Sequence, residues 1–93
     1  MIKSFADKVT AAVFSGQEAR RMATPLQSAA RRKLMMLDAA TSLDTLRATP
    51  GNRLEALKGN RKGRHSIRIN QQWRVCFKWE AAHAWSVEIV DYH

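Results

Sequence analysis

At 93 residues, 45% hydrophobic and 26% charged, the chain has the makings of one small soluble domain, because a polypeptide of this size encloses a single modest core and no second one. No apolar run approaches the ~20 residues of a membrane span, MIKSFADKV lacks the continuous apolar stretch of a secretory leader, and a single cysteine, Cys76, permits no internal disulfide; the expectation is a cytoplasmic protein without membrane association. Sixteen Lys and Arg against eight Asp and Glu leave a formal +8, which favours a nucleic acid or an acidic protein as partner through charge attraction and counterion release.

In chain order, Ile2 to Phe5 reads as a short strand-like start. Asp7 then caps a helix whose apolar positions Val9, Ala12, Val13 and Phe14 recur at helical spacing until Gly16 ends it. Residues 17–23 form a polar connection. Thr24-Pro25-Leu26-Gln27 supplies an N-cap, a proline at the first helical position and a Gln three residues on. The helix it opens runs to about Ala40, with Leu26, Ala30, Leu34 and Leu37 buried and the Arg31-Arg32-Lys33 run on a solvated face. Thr41 or Ser42 caps a further short turn through Leu46, and Thr49-Pro50-Gly51-Asn52 breaks the chain.

Beyond the break the hydrophobic period changes to two. Strands are expected over Arg53–Leu57, His65–Ile69 and Trp73–Trp79, with a basic glycine-bounded loop at Lys58–Gly63, a tight hairpin at Asn70-Gln71-Gln72, a turn over Glu80–Ala84, and a last strand carrying Trp85, Val87 and Ile89 on its apolar side. Two or three N-terminal helices followed by an antiparallel meander define an α+β domain spanning residues 1–93, with the helices covering the apolar face of the sheet. The opposite face should then carry Arg68, Arg74, Lys78, Glu88 and Tyr92. Between Arg53 and Lys78 eight basic residues meet one acid, Glu55, so this face is where the positive charge concentrates.

A polyanion-binding face can also do chemistry. Cleaving RNA without a metal needs a base for the 2′-OH proton, cations for the phosphorane and an acid for the leaving 5′-oxygen. Arg68 and Arg74, on neighbouring strands, can meet one phosphate with paired donors, and Lys58, Arg61, Lys62 and Arg64 can hold flanking phosphates. His93 has the right unperturbed pKa, about 6.5, to move protons near neutrality. Asp91 can orient it, and Tyr92 can donate a hydrogen bond or stack on a base. Glu55 and His65 are the alternative bases, although His65 shares the parity of Ile67 and so points to the core. His65, His83 and His93 have no metal-ligand spacing, and the glycines form no phosphate or dinucleotide loop, so neither metal nor cofactor is expected. A basic sheet that binds without cutting satisfies the same charge pattern.

The stretch LKGNRKGRHSIRINQQWRVCFKW followed by VEIVDYH resembles the HigB-type toxins of the RelE/ParE superfamily, and MIKSF and LDAAT (residues 37–41) extend the likeness over nearly the whole chain. The resemblance implies a small α+β fold with a curved sheet and an endonuclease that cuts mRNA in the ribosomal A site. It also implies restraint by a cognate HigA-type helix-turn-helix antitoxin, through which alone the toxin would reach operator DNA. It puts catalytic roles on Asp91, Tyr92 and His93, and RNA contacts on residues matching Lys58, Arg64, Arg68 and Arg74. Where some members carry a histidine before the KG loop this chain has Glu55, which leaves the general base open between Glu55, His65 and the tail. The ParE branch of the superfamily implies a different outcome, inhibition of a topoisomerase by binding. A third reading, a duplex-binding module, has no recognition helix in its favour.

Overall fold

The break at Pro50-Gly51 divides three helices from a four-stranded sheet in the computed structural model, which describes residues 1–20 and 22–92. Helix α1 spans Lys8–Phe14, with Asp7 extended at its start so that its carboxylate accepts from the Thr10 amide at 2.7 Å. Helix α2 spans Thr24–Ala39 and buries Ala30, Leu34 and Leu37 completely, while Leu26 is only half-buried. Its start differs from expectation: Ala23 is the N-cap and Thr24 makes no capping bond. Gln27 turns instead to the preceding connection, accepting from the Ala19 amide at 3.0 Å and donating to the carbonyls of Ala19 (3.1 Å) and Met22 (2.6 Å). Ala19 is buried and its polar backbone has no water to turn to, whereas the exposed helix start does. Helix α3, Leu43–Ala48, is capped by Ser42, whose hydroxyl accepts from the Thr45 amide at 3.2 Å.

Strands β1 (Glu55–Ala56), β2 (Arg64–Arg68), β3 (Trp73–Glu80) and β4 (His83–Asp91) pair antiparallel in that order. Strand β1 is shorter than its period-two pattern suggests, and Arg53, at a left-handed φ of 44°, lies outside the ladder. The Lys58–Gly63 loop contains one 3-10 turn, Gly59–Arg61. Asn70 builds the β2–β3 turn by accepting the amides of Gln72 and Trp73, each at 2.8 Å, on its side-chain oxygen. The β3–β4 turn is made by Ala81 and Ala82, both at positive φ. Ile2 and Phe5 bridge Ala84 and Val87 in parallel, so the N-terminal segment lines the far edge of the sheet.

The core lies between the helices and one sheet face: Val13, Leu34, Leu37, Leu46, Ile67, Val75, Phe77 and Val87 are almost wholly excluded from solvent. The β4 pattern departs from expectation. A register shift between Cys76 and Lys78 is taken up at Ser86, which sits at φ 51° and is held by Ser4, whose hydroxyl accepts its amide at 2.8 Å. Ala84 and Val87 therefore both face the core, and Trp85, expected to share the parity of Val87 and Ile89, pairs with Lys78 on the other side. His65 faces the helical side, stacked on Phe77 with ring centroids 6.2 Å apart and with Nδ1 buried and unpartnered.

Two outcomes follow. Left-handed φ costs a non-glycine residue roughly 1–2 kcal/mol, partly offset by the extra freedom glycine has when unfolded. Ser86→Gly should therefore be neutral to slightly stabilising in urea titrations, and the β-branched Ser86→Val destabilising by about that amount. His65 has its pKa lowered from 6.5, first by burial and then by Arg47. The folded protein thus favours the neutral ring, and the unfolded chain takes up the proton more readily. The stability this contributes is complete above 6.5 and declines as pH falls below it. Denaturation midpoints should drop between about pH 7 and 5, above the range where carboxylates of pKa about 4 titrate. His65→Phe should flatten that slope, leaving the share of His83, which shifts the same way.

Candidate nucleic-acid interface

Alternation along the strands puts one set of side chains opposite the helices. Arg64 faces Lys78, Ser66 faces Cys76 and Arg68 faces Arg74 across β2 and β3, while Glu55 is opposite Ser66, and Glu88 and Val90 are opposite Cys76 and Arg74. Tyr92 follows β4 on the same side, its ring centroid 5.8 Å from the Arg74 guanidinium carbon. The two arginines that the sequence places on adjacent strands are direct cross-strand neighbours. With Arg53, Glu55, Asn70, Gln71 and Tyr92 they line an open cleft of about 320 Å³.

Arg74 is only 7% exposed, and its hydrogen bonds account for that burial. Its Nε donates to the Ser66 hydroxyl at 2.8 Å, and Nη2 donates to the backbone carbonyls of Arg53 and, at 3.2 Å, Ser66. Nη1 is left toward the cleft, 3.9 Å from a carboxylate oxygen of exposed Glu55. Among the described residues Arg68 bonds protein through Nε alone, donating to the Asn70 carbonyl at 3.0 Å. Burial pushes the Tyr92 and Cys76 pKa values up, helped by Cys76 at the tyrosine and by Glu88 at the thiol, while Arg61 opposes both shifts. Tyr92 therefore remains a phenol able to donate, and Cys76 a buried thiol rather than a nucleophile.

A second cleft of about 370 Å³ is lined by Ala6, Asn60, Arg61, Arg64, Ser86 and Glu88, with Arg61 and Glu88 4.0 Å apart. Lys58 and Lys62 are exposed in the loop that carries Arg61. The other candidates are placed differently. Asp91 pairs with Trp73 and so alternates away from Tyr92, its carboxylate accepting from Gln72 at 3.2 Å. His65 is behind the sheet, and His93 lies outside the described residues. A larger, mostly apolar cleft of about 580 Å³ runs between α1, the 18–22 connection, Trp73 and Ile89, and holds none of the candidate residues. Among the described residues no three His, Cys, Asp or Glu side chains are grouped as a metal site requires.

Three contributors were not legible as site residues: Ser66, the Arg53 carbonyl and Asn52. Asn52 reads as a turn residue yet is fully buried. Its side chain donates to the Leu46 carbonyl (3.1 Å) and contacts the Met36 sulfur (3.2 Å), accepts from Lys33 (2.6 Å), and its carbonyl accepts the Arg68 amide at 2.6 Å. Lys33 is thereby drawn off the solvated helix face, with its pKa lowered by burial and by Arg32, while Arg31 and Arg32 stay exposed as expected.

Residues 3–93 match a family described as the RelE-like toxin of the type II toxin-antitoxin system HigB. The Toxin HigB-1 of Vibrio cholerae serotype O1 is 41% identical over 80 residues, covering 85% of this chain and 84% of that protein. Endoribonuclease HigB of Proteus vulgaris is 32% identical over 95 residues, with 100% of each chain covered. Among solved structures, the YoeB-YefM complex from Staphylococcus aureus aligns over 100% of this chain and 98% of its counterpart with a TM-score of 0.63; at 17% identity that likeness concerns the fold. The match over residues 3–93 and the two relatives agree, and the chain belongs to the HigB-like family of RelE-like toxins from type II toxin-antitoxin systems.

Proposed function

We propose that the protein is a ribosome-dependent endoribonuclease that cleaves mRNA in the ribosomal A site, halts translation in the cytoplasm and is neutralised by a cognate HigA-type helix-turn-helix antitoxin. The observation that carries the reading is Arg74, held almost out of solvent with Nη1 aimed into a cationic cleft beside Arg68 and the Tyr92 phenol. In a shielded site a fixed cation stabilises developing negative charge more than it would in water. The relatives' names, one a toxin and one an endoribonuclease, favour cleavage over topoisomerase binding or simple nucleic-acid binding. The Staphylococcus aureus neighbour is a toxin-antitoxin complex, which supports an antitoxin partner. Among the described residues no helix is long and apolar enough to cross a membrane.

The chemistry is an in-line displacement. A base removes the 2′-OH proton, the 2′-oxygen bonds to phosphorus, and the P–O5′ bond breaks as an acid protonates the leaving oxygen, giving a 2′,3′-cyclic phosphate and a 5′-OH end. Arg68 and Arg74 hold the non-bridging oxygens, and Lys58, Arg61, Lys62 and Arg64 hold flanking phosphates. His93 and the Tyr92 phenol serve as proton donors, with Asp91 supporting the tail. Glu55 is the base candidate on the cleft, since His65 stacks on Phe77 behind the sheet. Charge neutralisation in this reading comes from arginine and lysine.

Deleting His93, or His93→Gln, should lower single-turnover cleavage on ribosomes by roughly 100- to 10,000-fold with ribosome binding intact. Wild-type cleavage by the deletion would move the proton transfer to Glu55 or Tyr92. Arg68→Ala should instead weaken binding and flatten its salt dependence. Because clefts of about 320 and 370 Å³ are too open to order a flexible RNA, free transcripts should resist cutting while translated ones are cut. Cleavage should survive chelation of zinc and manganese with magnesium kept for the ribosomes; loss that either metal specifically restores would overturn the metal-free mechanism.

A further inference from the structure

An arginine on a binding surface usually freezes its rotamers only when its ligand arrives, and that ordering is subtracted from affinity and rate. Arg74 is already frozen in the free protein. Of its five N–H donors, the one on Nε and those on Nη2 are given to the Ser66 hydroxyl, the Ser66 carbonyl and the Arg53 carbonyl, which among the described residues leaves the Nη1 edge. Every one of these acceptors is neutral, so orientation is fixed without cancelling the charge. The Glu55 carboxylate is 3.9 Å from Nη1, beyond hydrogen-bond length. The Arg53 carbonyl is in turn aimed by that residue's left-handed φ of 44° and by Asn52, whose buried side chain is tied to Lys33 and Leu46.

We propose that Ser66, together with the Arg53 carbonyl pegged by Asn52, is a positioning element that presents Arg74 to the scissile phosphate through Nη1 alone, making Ser66 a positioning residue for cleavage. The inference rests on the reading of Arg74 as a phosphate contact. It goes further in assigning the rate to orientation as well as charge: a guanidinium free to turn presents its Nη1 edge only part of the time and delivers less of its field to the phosphorane.

Two measurements test it. In proton–nitrogen spectra of the free protein, the Arg74 Nε–H resonance should exchange slowly with solvent. Ser66→Ala should lose that protection while backbone amides elsewhere keep their positions. Ser66→Cys, similar in shape but a weak acceptor, should behave alike. In single-turnover cleavage on ribosomes, Ser66→Ala should be about tenfold or more slower at saturation with half-saturation unchanged, and should add nothing in an Arg74→Ala background. An equal loss in both backgrounds would make Ser66 merely structural and overturn the proposal, as would wild-type cleavage by Ser66→Ala with a slowly exchanging Nε–H. Wild-type cleavage by Arg74→Ala would overturn both this inference and the catalytic reading of Arg74, which the exchange measurement separates because it needs no RNA.

Discussion

Burying a guanidinium inside a sheet is tolerable only if its donors find acceptors, since an unpaired buried charge costs several kcal/mol. Arg74 meets that condition with groups from two places, the neighbouring strand and the loop after Pro50-Gly51. Much of the surrounding structure follows. Arg53, outside the β1 ladder, turns its carbonyl to Arg74, the Arg53 turn is anchored by a buried Asn52, and Asn52 reaches across to Lys33 on α2. The cationic surface and the helical layer behind it are thus connected through one short loop.

The face around Arg74 is unfavourable to itself. Arg53, Arg61, Arg64, Arg68, Arg74 and Lys78 share it with Glu55, Glu80 and Glu88; Glu80 pairs with Lys78 at 3.5 Å, whereas the pairs of Glu55 with Arg74 and of Glu88 with Arg61 are long, 3.9 and 4.0 Å. Such loose pairing leaves the cations available to phosphates, and it leaves a repulsion that any bound polyanion or acidic segment relieves. Tight salt bridges would quiet the surface and blunt its purpose.

The helices, the meander and the register of Arg68 against Arg74 were readable because they depend on local signals: a capping Asp7, a broken chain at Pro50-Gly51 and strict alternation through β2 and β3. What escaped depends on distant partners. The Ser86 bulge needs Ser4, the Gln27 side chain answers carbonyls of a buried connection, and Ala81-Ala82 turns without the glycine or asparagine that marks such a corner. In the site, the arginines and Tyr92 were legible from charge and parity. Ser66 and Asn52 were not, because a serine in a strand and an asparagine after a Pro-Gly pair look the same whether or not an arginine leans on them.

The parallel pairing of the N-terminal segment with β4 bears on the order of events during synthesis. The Ile89 amide donates to the Thr10 hydroxyl, the Ser86 amide to Ser4, and Ile2 and Phe5 bridge Ala84 and Val87, contacts that span about eighty residues of chain. Residues 2–5 have no edge to join until β4 is made, and closing so long a loop is among the slower steps available to a small domain. The strand that completes this edge also leads into Tyr92, so the cationic cleft around Arg74 is completed only once β4 is in place. Before β4 forms, the chain lacks both the edge that seats its N-terminal segment and the strand that leads Tyr92 to Arg74.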